Sequence, residues 1–151
     1  MVVSESALPS LEEVRAADFR VAVATICPPI CQALERDDPA AAPLLNELFR
    51  SSDGVRGFFV NWLTDPSLTR PDSANPPPAL LAAMAQSPDE RMLSELMVMN
   101  VIMPSATSLA HQRNGDVAAS EASRLTARRA SALVSCAAMS SAREDMLAVL
   151  A

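Results

Sequence analysis

Two helix-length segments, 89–113 and 116–151, are separated by only Asn114-Gly115. A link that short leaves the second segment little choice but to fold back along the first. The pattern therefore predicts an antiparallel helical hairpin that supplies much of the core. Around it the chain has the makings of an all-α, single-domain bundle of about five to seven helices. At 151 residues it is long enough to bury a core without a metal or disulfide staple.

Composition agrees with helix. Half of the residues are hydrophobic, yet aromatics make up only 3% and tyrosine is absent. Strand-forming residues are scarce, and no stretch alternates apolar and polar residues for long enough to mark a half-buried strand.

Along the chain, Ser10 and Glu13 have the spacing of a capping box and start a helix over 11–26. Pro28-Pro29 should break it, leaving a short continuation over 30–36. A third helix is expected over 41–50, with Leu44, Leu45, Leu48 and Phe49 inward. A fourth, capped by Asp53, should run to about Leu63. The segment 64–78 holds five prolines among aspartates and serines and reads as an ordered-to-mobile loop of polyproline character.

A short helix over 79–86 follows, and Ser87-Pro88 should open the long helix, with proline in its first turn. The middle of that helix is apolar almost all round, so it is expected to be central, with a bend at Pro104. Asp116 should cap the last helix, with Ala118, Ala122, Leu125, Ala132, Leu133, Cys136 and Met139 inward. Ser141 and Glu144 offer a second capping pair and hence a break near Ser140.

The residue inventory excludes much chemistry. Without lysine there is no Schiff base and no phosphate-loop lysine. Three scattered glycines (Gly54, Gly57, Gly115) make no phosphate cradle or dinucleotide fingerprint, and one histidine cannot make a paired-histidine metal site. A formal net charge of −6 argues against nucleic acid. Residues 1–88 carry eleven acids against six arginines, whereas 89–151 carry seven against six, so any anion site belongs in the second half. The first residues have no basic region leading into an apolar run, and no stretch reaches the length of uninterrupted apolar residues a membrane span needs. Three cysteines suit a reducing interior. A cytoplasmic protein, or one inside an organelle after presequence removal, is expected, with no cofactor and no metal.

Several constellations carry the remaining options, each with a structural and a functional reading. Phe58, Phe59 and Trp62, with Arg56 nearby, are core or a partner-docking patch. His111 satisfies the end of the long helix or serves a ligand. Asn100 answers backbone freed by Pro104 or lines a pocket. Arg124, Arg128 and Arg129, with Arg113 across the turn, are a solvated face or a site for a carboxylate or phosphate. Cys27 and Cys31, four apart, are small buried hydrophobes or a thiol pair.

The missing catalytic vocabulary favours a non-catalytic protein-interaction module: an adaptor, assembly factor or regulatory subunit with a protein partner. The alternative is a small-ligand or anion binder, lyase-like in outline, with a pocket between the long helices near Asn100, His111 and Arg128. Self-association of the alanine-rich last helix as a homodimer is compatible with either.

Overall fold

The computed structural model describes residues 7–136, Glu144 and Ala148. The protein is an all-α bundle, with no strand among the described residues. Its helices are α1 (Leu11–Ala16), α2 (residues 19–35), α3 (Ala41–Leu48), α4 (Ser52–Thr64), α5 (Pro78–Gln86), α6 (Glu90–Arg113) and α7 (Val117–Val134).

The Ser10–Glu13 capping box forms as expected. The first break, however, falls at Ala17-Asp18 and not at the diproline. Asp18 accepts the Val21 amide at 2.9 Å and so caps a fresh start, α2. Pro28-Pro29 ride inside α2 because the preceding turn, Ala22–Ile26, is π-helical. In an i→i+5 register the partner of Val23 O would be residue 28, and proline has no proton to give. Asn61 of α4 supplies it instead, its Nδ2 donating to Val23 O at 3.1 Å.

α4 is packed tightly against its neighbours through two glycines. A Cβ on Gly54 would sit 2.0 Å from Leu48 O, and one on Gly57 would sit 2.8 Å from the Ala22 Cβ. Its cap is Ser51 and not Asp53 as expected: Ser51 Oγ accepts the Gly54 amide at 3.0 Å, and Asp53 lies inside the first turn. The Phe58, Phe59 and Trp62 rings of α4 are fully buried with Phe49. Phe58 stacks on Trp62 at 5.6 Å and meets Phe49 edge-on at 5.3 Å. These rings are the centre of the core and present nothing to a partner, which corrects the docking-patch reading. Arg56 lies apart from them, over the Phe19 ring at 4.8 Å.

α6 and α7 form the expected hairpin. At its tip, Asp116 N donates to His111 O and Gly115 N to Gln112 O, with Gly115 left-handed at φ 75°. That pair of bonds closes α6 in a Schellman turn. Asp116 then caps α7 by accepting the Ala119 amide. At the other end of α6 the cap is Asp89, which leaves Pro88 outside the helix and not in its first turn.

Two expectations about the hairpin need correction. α6 is not central: only its first half is buried, at Leu93, Ser94, Met97 and Val98, with Ser108 beyond. In the stretch expected to be covered all round, Met97 is fully buried but Met99 and Met103 are 51% and 54% exposed. Near the tip the two helices meet through Ser108 and Ser120, whose hydroxyls face each other at 3.3 Å. The inward stripe of α7 is also turned: Ser120, Ala127, Arg129, Ala130, Leu133 and Val134 are buried, while Ala118 and Ala122 are exposed. α7 ends at Val134, and the expectations for Met139, for a break near Ser140 and for a Ser141 cap lie outside the described residues. By length and mean hydropathy α6 alone among the described helices could cross a membrane, but the facing α7 carries Arg124, Arg128 and Arg129.

Candidate functional site

The proline-rich segment is not a loose loop. Asp65 Oδ1 accepts the Ser67 amide and hydroxyl at 2.9 and 2.7 Å, a turn that directs Leu68 into the core. A single 3₁₀ turn, Arg70–Asp72, follows, with Pro71 buried. This strap is fastened at both sides. From α2, Glu35 accepts the Thr69 and Arg70 amides, each at 2.8 Å, and the Thr69 hydroxyl as well. Asp37, just past α2, pairs with Arg70 at 2.9 Å.

From α7 comes Arg129, 1% exposed and so among the largest fully buried side chains. Its Nε and Nη2 grip Asp72 Oδ1 and Oδ2 at 2.9 and 3.2 Å. Nη2 also donates to Leu68 O at 2.8 Å, and Nη1 donates to Trp62 O and Asp65 O at 3.1 and 2.7 Å. All five guanidinium protons therefore have an acceptor. Trp62 O belongs to the last turn of α4, where carbonyls lack helical partners and a cation is favoured. One side chain thus caps α4, closes the strap and anchors the hairpin.

The electrostatics follow from these contacts. The Arg129 hydrogen bond, opposed by burial and helped by Arg128, holds the Asp72 carboxyl below its ordinary value. Burial pushes the Glu35 carboxyl up, but the Thr69 hydroxyl and the two strap amides outweigh it, and the net effect is downward.

Two clefts open beside this clasp. The first, about 460 Å³, lies between α6 and α7 and is lined by Met99, Asn100, Met103, Thr107, Ala122 and Thr126, among others. The second, about 610 Å³, runs on the strap side of α7, between Thr64 and Pro66 and the side chains of Glu121, Arg124, Leu125 and Arg128.

The candidate residues divide among these places. Asn100 lines the first cleft and donates to Leu96 O at 2.8 Å, one turn before the carbonyl that Pro104 frees. Arg124 and Arg128 line the second. Arg124 is held by Ser108 Oγ and Gln112 Oε1, both at 3.2 Å. Arg128 reaches Asp72 at 3.4 Å. His111 is half-buried and Arg113 exposed near the hairpin tip, and neither lines either cleft. Cys27 and Cys31 are buried, and burial pushes the Cys27 thiol up to about 12 and the Cys31 thiol well above its ordinary value. Such thiols stay protonated and unreactive. Among the described residues no three His, Cys, Asp or Glu side chains gather as a metal site.

Arg129 is the residue that sequence reasoning undervalued. Sequence spacing groups it with Arg124 and Arg128, as a solvated face or a carboxylate site, although it stands midway between Leu125 and Leu133 on one line of α7. An arginine on an inward line signals a buried acceptor set.

A family model described as uncharacterised conserved protein UCP020893 matches residues 24–151. The chain belongs to that family. The matched region contains Glu35, Asp72 and Arg129, and with them the whole clasp. Neither the curated proteins nor the solved structures include a significant match.

Proposed function

We propose that the protein is a non-catalytic helical module that binds a partner protein through the outward face of its hairpin. One observation carries this reading: Met99 and Met103, one helical turn apart and half-exposed, flank a cleft floored by small residues of α7. Large apolar side chains grouped at a concave surface suit partner contact, and methionine adapts to irregular shapes. The cleft lies on the α6–α7 pair, which Arg129 fixes to the body of the bundle. The small-ligand alternative needed Asn100, His111 and Arg128 around one pocket, and the first cleft holds only Asn100 of the three.

The test compares affinity isolation from native lysate with wild-type protein and with a Met99→Glu/Met103→Glu variant. Both positions are solvent-facing, so the variant should keep its melting temperature. A stoichiometric protein recovered by the wild type and lost with the variant is the expected result. Recovery of no protein, or equal recovery with both baits, contradicts the proposal.

A further inference from the structure

We propose that the two clefts form one trough, and that its occupant is an acidic amphipathic peptide segment of the partner. The inference rests on the protein-binding reading above and adds the chemistry of the bound segment. Thr64 and Ala122 line both clefts, so the methionine-lined end and the arginine-lined end share a wall and a floor. A segment lying along the trough meets apolar surface at one end and positive charge at the other.

The charge at the second end is available. Arg124 is held only by the neutral oxygens of Ser108 and Gln112, and it has no ion pair among the described residues. Arg128 contacts Asp72 at 3.4 Å, but both oxygens of that carboxylate are already gripped by Arg129 at 2.9 and 3.2 Å. Two guanidinium forks one helical turn apart are thus held in place with capacity to spare, the arrangement that takes carboxylates. Glu121, on the same wall, is the one acid among the described residues that line this end. It is a single charge against two and would favour a segment whose carboxylates fall beside the arginines.

The net charge of −6 does not forbid an acidic occupant. At physiological salt, fields are screened beyond about 8 Å, so contact pairs outweigh the distant surplus. The concave shape disfavours a flat anionic membrane surface as the occupant.

The test uses short fluorescein-labelled helical peptides that share one leucine face and carry Glu, Gln or Lys on the flank. Binding is read by fluorescence anisotropy against the full chain. The Glu peptide should bind about tenfold more tightly than the Gln peptide, with the Lys peptide weakest. Arg124→Glu/Arg128→Glu should reverse that order. Arg128→Gln alone, at an exposed position, should narrow it and guards against a folding defect in the double variant. Met99→Glu should weaken the Glu and Gln peptides.

Equal affinity for all three peptides, an order untouched by the arginine variants, or binding to phosphatidylserine vesicles in place of peptide overturns the inference. If lysate recovery still depends on Met99 and Met103 while peptide charge has no effect, the protein-binding reading stands and this inference falls.

Discussion

Arg129 and Asp72 are 57 residues apart in sequence, yet they form a bidentate pair, Nε to Oδ1 at 2.9 Å and Nη2 to Oδ2 at 3.2 Å. The arginine is buried, and its other three bonds go to main-chain carbonyls of α4 and the strap. Removing it strands those carbonyls in the interior. Arg129→Ala should therefore cost about 3–5 kcal/mol, in the range for breaking a buried, hydrogen-bonded charge. Arg129→Lys keeps the charge but not the fork and should recover only part of the loss. Urea denaturation measures both, and a loss under about 1 kcal/mol for the alanine variant would refute the clasp.

The same contacts set a pH dependence. Asp72 and Glu35 both titrate lower in the folded protein than the ordinary 3.8 and 4.5. A carboxylate depressed by folding contributes stability above its unfolded value and loses it as pH falls through the folded one. Stability should be flat above about pH 5 and decline through the acid range below pH 4. Glu35→Gln/Asp72→Asn should start lower at neutral pH and decline less steeply. A residual slope should remain, because Glu47 is likewise lowered by its hydrogen bond from Arg15. Parallel acid profiles for the variant and the wild type would show that these carboxylates do not carry the effect.

Two glycines separate steric from conformational strain. Gly54→Ala places a methyl against Leu48 O, a main-chain atom that cannot swing away. Although alanine favours helix, overpacking should win and cost about 2–3 kcal/mol. Gly115→Ala meets nothing within 4 Å, but φ of 75° is strained for any side chain. Its cost should be about 1 kcal/mol, from backbone alone. Thermal melts should rank Gly54→Ala as the more destabilised; the reverse order would mean that α3 and α4 are not in close contact.

Asn61 answers for the diproline. Asn61→Leu removes the donor to Val23 O, a part-buried carbonyl of the π-turn that carries Pro28-Pro29 inside α2. The expected loss is about 1–3 kcal/mol. Converting Pro28 to alanine in that background returns an amide proton to the i+5 partner of Val23 O and should recover much of the loss. No recovery would show that the missing Pro28 amide is not what leaves Val23 O in need of Asn61.

How much of this was legible in the chain depends on the range of the interactions. Caps act over three residues, so Ser10 and Asp116 were readable, as was the Gly115 turn. The inward side of α3 followed from spacing alone. Most of what failed is set from a distance; the exceptions are local, Ser51 and not Asp53 capping α4 and Asp89 opening α6 beyond Pro88. The α2 register depends on Asn61, 38 residues away, so the diproline looked like a break. The strap is ordered by Glu35 and Arg129, which a proline-rich composition cannot announce. Met99 and Met103 looked like core because hydrophobicity does not say which apolar face a fold leaves uncovered. At the candidate site, Arg124 and Arg128 were placed together by their helical spacing, whereas His111 and Arg113 share with them only proximity in sequence.

Residues 65–77 form an ordered strap clasped between α2 and α7. Amide hydrogen exchange at Thr69 and Arg70, the two strap amides held by Glu35, tests it most directly. In the wild type both amides should be strongly protected, and in Arg129→Ala that protection should collapse while the amides in the middle of α3 remain slow. Exchange of Thr69 and Arg70 at free-chain rates in the wild type would contradict the account.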